Sequence, residues 1–427
     1  MRFLFLFFFV IFFSCQNKHQ TKSSNENEFF FQASNFSEQN QSENEKENRA
    51  ISQFLKTQTL AALARELFMV NINGNDTFKP VEQFNGNDLV AGSYIFFSYN
   101  LQDDAKAIID FTSDVKNFCA RKNLLPAFLA LDEEGGEVSR LRKVIPNLPS
   151  PQKISKELLL TDAFELYSIV AKEISALGFS LNLAPVVESE TTENFLGERS
   201  FGNEKKVADF AKTFLLSMQN ENVASCLKHF PGNGKIDPHE NLPIIQGTEY
   251  ELHTLLFPFQ NLLLYKPETI LLSHLIVKNV DETPACLSRV WIKNFLQETL
   301  SFDGLVISDD IYMKALSDAG FPPERATLAA IEAGCDVIMI SEKRFGNALS
   351  FLLSKANEDE NFQKRIRESA EKIIRFKIKH GIVQLKKTNK TWELVFPLIN
   401  ADEKNAQLEK FNLAKEEHEN FLEKHKL

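Results

Sequence analysis

Between Lys228 and His239 the chain reads Lys-His-Phe-Pro-Gly-Asn-Gly-Lys-Ile-Asp-Pro-His. An apolar run ends in a cation and an imidazole, a Pro/Gly-rich loop follows, and Asp237 stands two residues before His239. A carboxylate so placed can orient a histidine and raise its basicity, as a proton-transferring pair requires. An Asp-x-His is also the composition of a turn carrying a solvated histidine. A second segment, Gly304-Leu305-Val306-Ile307-Ser308-Asp309-Asp310, delivers two carboxylates to the end of an apolar run. Carboxylates there are costly to bury unless hydrogen-bonded or used, so they read as a nucleophile or a metal ligand. Asp132, Glu133 and Glu134 supply further carboxylates, and spacing alone leaves a magnesium or calcium site open.

These residues need a scaffold that brings distant segments together. Short apolar runs alternate with longer amphipathic stretches, the rhythm of repeated βα units. Eight runs are expected as strands: 67–72, 94–97, 127–132, 180–186, 224–230, 269–275, 304–310 and 336–341. Helices are expected between them over Ala163 to Leu177, Glu204 to Glu221 and Pro322 to Ala333, the last ending at Gly334. Eight strands with interposed helices predict an α/β protein, a (β/α)8 TIM barrel. Asp132, Lys228, His229, His274, Asp309 and Asp310 each follow a strand core, at the C-terminal barrel face where such barrels carry their sites.

The rest of the chain bounds the function. A net charge of -10 without any Lys/Arg-rich cluster excludes the electrostatic footprint of a nucleic-acid binder. Five cysteines without a CxxC or Cys/His pattern argue against structural zinc, and Cys119, Cys226, Cys286 and Cys335 sit in apolar sequence as buried free thiols would. Cys15 differs. Arg2, the apolar run Phe3 to Phe13 and Ser14-Cys15 follow the order of a signal peptide, and the run is too short to span a bilayer. It resembles a lipoprotein signal peptide, with cleavage before Cys15 and lipid attached to that cysteine. Residues 1–14 are thus expected as the signal peptide and 15–48, poor in apolar residues, as a disordered tether. The barrel is expected over 49–383 and a short charged helical appendage over 384–427, its charges forming a solvated face.

Four motifs then occur in order: Leu131-Asp132-Glu133-Glu134-Gly135-Gly136-Glu137-Val138-Ser139-Arg140, Gly197-Glu198-Arg199-Ser200-Phe201-Gly202, Lys228 to Gly234 with Asp237-Pro238-His239, and Ile307-Ser308-Asp309-Asp310. Together they resemble the β-N-acetylhexosaminidase branch of glycoside hydrolase family 3, from about Leu60 to Val383. The resemblance implies a retaining β-N-acetylglucosaminidase that removes terminal β-linked N-acetylglucosamine, with peptidoglycan fragments (muropeptides) as the carbohydrate partner. Asp309 matches the family's nucleophile, and His239, paired with Asp237, matches the general acid/base. Asp132, Arg140, Arg199, Lys228 and His229 match residues that bind the sugar, and the family uses no metal or organic cofactor.

Those roles fit the chemistry, because a retaining hydrolase needs an ionised carboxylate on one face of the sugar and a proton donor on the other. The chain departs from the family pattern in several places. The loop from Gly234 to Asp237 is about two residues shorter, Pro238 replaces a usual serine, and Asn233 stands where histidine is common. Glu137 replaces a usual arginine and Glu188 a usual aspartate. The shortened loop also motivates a second reading, a sugar-binding lipoprotein that has kept the barrel and lost turnover. In either reading the expected location is a bacterial membrane surface, periplasmic or external, reached through the lipid anchor.

Overall fold

Runs rich in β-branched and large apolar residues, apolar on both faces, form strands buried on both sides. Eight such strands make up one sheet: β1 (Phe68–Asn71), β2 (Ser93–Phe96), β3 (Phe128–Leu131), β4 (Leu181–Asn182), β5 (Ala224–Phe230), β6 (Thr269–Leu272), β7 (Leu305–Ile307) and β8 (Ile338–Ile340). The computed structural model describes residues 44–190, 196–234, 236–238, 241–389 and 391–427. Cys15, His239 and nearly all of the expected signal peptide and tether lie outside them. The account below concerns 50–427, one unit.

All neighbouring pairs are parallel, in the order β7-β6-β5-β4-β3-β2-β1-β8. The two ends of this sheet meet through a single bridge, Ile307 to Val337, with backbone bonds from Ser308 N to Val337 O (2.9 Å) and Ile311 N to Met339 O (3.2 Å). The result is the expected barrel, nearly closed. Every expected strand is present, but the 180–186 run contributes only two ladder residues. Pro185 has no N–H to donate, and Val186 regains the sheet only through a bridge to Lys228.

The helices pack outside: α1 (Ala105–Arg121), α2 (Leu160–Ala176), α3 (Glu204–Asn220), α4 (Glu249–Leu263), α5 (Pro323–Ala333), α6 (Gly346–Glu358) and α7 (Glu360–Lys379). A wider π-type helix, Val290–Thr299, fills the place between β6 and β7. Side chains cap the exposed amides at several starts, as Asp104 does for Ala107 N and Asn203 for Lys206 N. Between β1 and β2 the described residues form a small hairpin rather than a helix. At the base of the barrel α7 is tied in by ions. Buried Asp336 accepts from Arg365 (2.9 Å) and Lys372 (3.1 Å), and Lys377 pairs with Glu66 where both are fully buried. No helix among the described residues is long and apolar enough to cross a membrane.

The tail differs from a free appendage. Gln384–Lys387 and Trp392–Val395 pair as an antiparallel hairpin, which the charged composition hid. Helix α8 (Ala401–His425) then starts on a box in which Asn400 and Glu403 cap each other's amides. Phe411, Ala414, His418 and Phe421 recur at helical spacing and are buried, and the helix packs on α1 and α2. The charges occupy its outer face, as expected. Phe411→Ala should cost about 3–5 kcal/mol for the lost ring and its cavity, read as a lower urea midpoint. An unchanged midpoint would mean that the helix does not hold the barrel.

Candidate active site

The site begins where β3 ends. Asp132 follows Leu131, and Glu133–Gly135 pairs with Val138–Ser139 in a tight hairpin. Gly135 (φ 96°) permits that reversal, since a Cβ there would lie 2.3 Å from the Pro149 carbonyl oxygen. The hairpin returns Arg140 to Asp132, with 3.3 Å between Nη2 and Oδ2, and Arg140 lies over the Phe97 ring at 5.5 Å. From β5, Lys228 Nζ reaches Asp132 Oδ1 at 2.8 Å and Glu134 Oε1 at 2.7 Å. Arg199 grips Glu134 through two bonds, Nε to Oε2 at 2.8 Å and Nη2 to Oε1 at 3.0 Å.

Two carboxylates are thus shared among three cations, with Lys228 and Glu134 almost wholly buried (side chains 4% and 1% exposed). Burial by itself raises the Asp132 carboxyl, yet Lys228 and Arg140 outweigh it and hold it below the usual range. Burial raises Glu134 too, and there Lys228 and Arg199 win. Lys228 moves oppositely, since burial lowers it but Asp132 and Glu134 raise it further. Both acids therefore stay ionised and Lys228 stays charged, a fixed set of charged donors and acceptors suited to a polar ligand.

The acidic run that left a metal site open is divided by the fold. Asp132 and Glu134 are committed to cations. Glu133 turns into the protein, where Oε2 accepts from Leu141 N (2.8 Å) and burial pushes its carboxyl up to about 7. Among the described residues no group of three His, Cys, Asp or Glu is arranged to hold a metal ion.

Asp309 and Asp310 separate in the same way. Asp310 Oδ1 accepts from Tyr312 N (3.0 Å) and Ser341 N (3.1 Å), holding backbone on both sides of the sheet junction. Asp309 makes no ion pair among the described residues and accepts only from the amide of Asp310 (2.8 Å). Its carboxylate is the less encumbered of the two, as a nucleophile must be.

One cavity of about 260 Å³ at the C-terminal face collects these groups. Asp132, Arg140, Arg199, Lys228, His229, Asp309 and Asp310 all line it, with Glu134, Asn233, Phe97 and Met313. The size lies just below the usual range of ligand pockets and suits a single small polar ring. Asp237 is half-buried beside the lining residue Pro238, and its carbonyl accepts from Asn241 N (3.3 Å). His274 departs from the expected convergence. It is fully buried, contacting Cys286 Sγ and Met313 Sδ at 3.1 Å each, and does not line the cavity. Burial lowers its pKa against the pull of Asp309 and Asp310, so the ring is neutral. Cys119, Cys226, Cys286 and Cys335 are buried free thiols.

Sequence reasoning saw Glu134 only as a possible metal ligand and gave no role to Glu188, the acceptor for His229 Nδ1 at 2.8 Å. Its only signal was that Glu188 departs from a family pattern.

The model of the glycosyl hydrolase family 3 N-terminal domain matches residues 64–376, the span of the barrel. The chain belongs to glycoside hydrolase family 3, and it is a glycoside hydrolase. A β-hexosaminidase of Idiomarina loihiensis is 32% identical over 278 residues, 63% of this chain and 82% of that protein. A β-hexosaminidase of Haemophilus influenzae is 32% identical over 287 residues, 65% and 80% of the two chains. The chain stands in that branch of the family. A solved family 3 β-N-acetylglucosaminidase from a Paenibacillus species shares the fold with a TM-score of 0.71, at 24% identity over 84% of this chain and 69% of that one.

Proposed function

We propose that this hydrolase is a retaining exo-β-N-acetylglucosaminidase that removes terminal β-linked N-acetylglucosamine from peptidoglycan fragments. The observation that carries the reading is a ring-sized cavity in which Asp309, without an ion pair among the described residues, shares the lining with a fixed array of paired charges. An oxygen of Asp309 attacks the anomeric carbon while the bond to the leaving oxygen breaks and His239 gives that oxygen its proton. Water then attacks the same carbon, returns a proton to His239 and frees Asp309. Asp237 keeps the imidazole basic, and Asp132, Arg140, Arg199, Lys228 and His229 bind the sugar. The 260 Å³ volume favours an exo mode, because it accommodates one unit rather than a chain.

Lipid on Cys15 would hold the enzyme at a membrane face outside the cytoplasm, against its wall substrate. The test is release of 4-nitrophenol from its β-N-acetylglucosaminide by the detergent-solubilised full chain, beside His239→Ala. Turnover in the parent, cut by about 10²–10⁴-fold in the variant, is the expected result for a general acid/base. An inactive parent, against this substrate and a muropeptide, would favour the sugar-binding lipoprotein instead. Membrane fractionation of Cys15→Ala addresses the anchor, and a parent protein found wholly in the cytosol would sink it.

A further inference from the structure

Two of the departures from the family pattern, Glu188 and Asn233, touch each other. Glu188 is 6% exposed and accepts four hydrogen bonds: at Oε1 from His229 N (3.2 Å), His229 Nδ1 (2.8 Å) and Asn233 Nδ2 (3.2 Å), and at Oε2 from Asn233 N (2.8 Å). It ties the end of β5 to the first turn of the loop beyond.

That arrangement settles which way the Asn233 amide faces. A carboxylate only accepts, so the NH2 group must turn to Glu188 and the carbonyl oxygen away from it. Asn233 is 1% exposed and lines the cavity, yet its Oδ1 has no hydrogen-bond partner among the described residues. A buried acceptor without a donor is costly and calls for a ligand or an ordered water. Histidine, common at this position in the family, can offer a donor or an acceptor. In Asn233, one amide hydrogen is committed to Glu188 and the carbonyl oxygen is left as an unused acceptor.

We propose that Asn233 is a specificity-determining residue whose Oδ1 accepts a hydrogen bond from a donor on the bound sugar, and that Glu188 is the positioning residue that orients its amide. The donor is a ring hydroxyl or the acetamido N–H. This rests on the reading of the cavity as the sugar site.

The test compares the full chain with Asn233→Ala and Glu188→Gln, measuring competitive inhibition of 4-nitrophenyl β-N-acetylglucosaminide turnover by N-acetylglucosamine and by glucose. Asn233→Ala should raise the inhibition constant for N-acetylglucosamine about three- to tenfold, the worth of one neutral hydrogen bond. A rise for N-acetylglucosamine alone identifies the acetamido N–H as donor, and an equal rise for both sugars identifies a hydroxyl. Glu188→Gln lets the amide turn over and should weaken binding in the same direction, which carries the test if Asn233→Ala does not fold. A purely structural role would move the thermal midpoint and leave both inhibition constants unchanged, and that result overturns the proposal. Should the parent show no turnover, the proposed function fails on its own. Calorimetric Kd values for N-acetylglucosamine in parent and variants then decide the role of Asn233, and a parent that binds no sugar overturns both.

Discussion

Asp309→Ala is expected to lower kcat on 4-nitrophenyl β-N-acetylglucosaminide by about three orders of magnitude or more, equivalent to ~4 kcal/mol of barrel-supplied transition-state stabilisation. On the proposed mechanism, removing the carboxylate removes the covalent route, and Asp310 is a poor substitute because its Oδ1 is bound by the amides of Tyr312 and Ser341, which fixes that carboxylate. Affinity for N-acetylglucosamine should stay within about threefold, since the array of Asp132, Glu134, Lys228 and Arg199 is untouched. Azide, small enough for the vacated space, should restore turnover and yield a glycosyl azide. If Asp309→Ala keeps its activity while Asp310→Ala loses it, the two carboxylates have been assigned the wrong way round.

Lys228→Met should be the most damaging single change to the binding array. It leaves Asp132 and Glu134 buried with one arginine each, and stranding charges in this way costs about 3–5 kcal/mol. The pH dependence follows from the direction of the shifts. In the parent both acids lie below their usual values, so their stabilisation is present above the unfolded pKa values of about 4 and lost as pH falls through the folded ones. In the variant, burial dominates and raises both carboxyls, so acid discharges them. Urea unfolding from pH 7 down to pH 4 should therefore show the deficit of the variant narrowing. A constant deficit would mean that the lysine contributes packing and little charge.

How much of this was legible in the sequence depends on what each residue answers to. The barrel was, because strands buried on both faces must be apolar throughout, and all eight such runs pair in parallel. The tail hairpin was obscured because Gln384–Lys387 and Trp392–Val395 carry little apolar signal and define each other only by pairing. At the site, the order of the motifs singled out Asp309, Lys228 and Arg199. The division of labour within Asp132-Glu133-Glu134 was not legible, since Glu133 and Glu134 are successive residues of one strand whose side chains go to opposite faces, Glu133 inward and Glu134 to Lys228. His274 misled for a related reason. The end of a strand fixes height on the barrel but not whether a side chain meets the cavity or, as here, two sulfur atoms beneath it.

The junction between β7 and β8 lies beside Asp309. Asp309 and Asp310 follow the end of β7, while Met339 and Ser341 approach the same cavity from β8, and one ladder bridge with backbone and side-chain hydrogen bonds joins the two sides. A ligand in this cavity would touch both sides of that seam. Asp310 and Ser341, which are bonded to each other across the seam, both line the cavity, so the shape of the cavity and the closure of the wall draw on the same contacts.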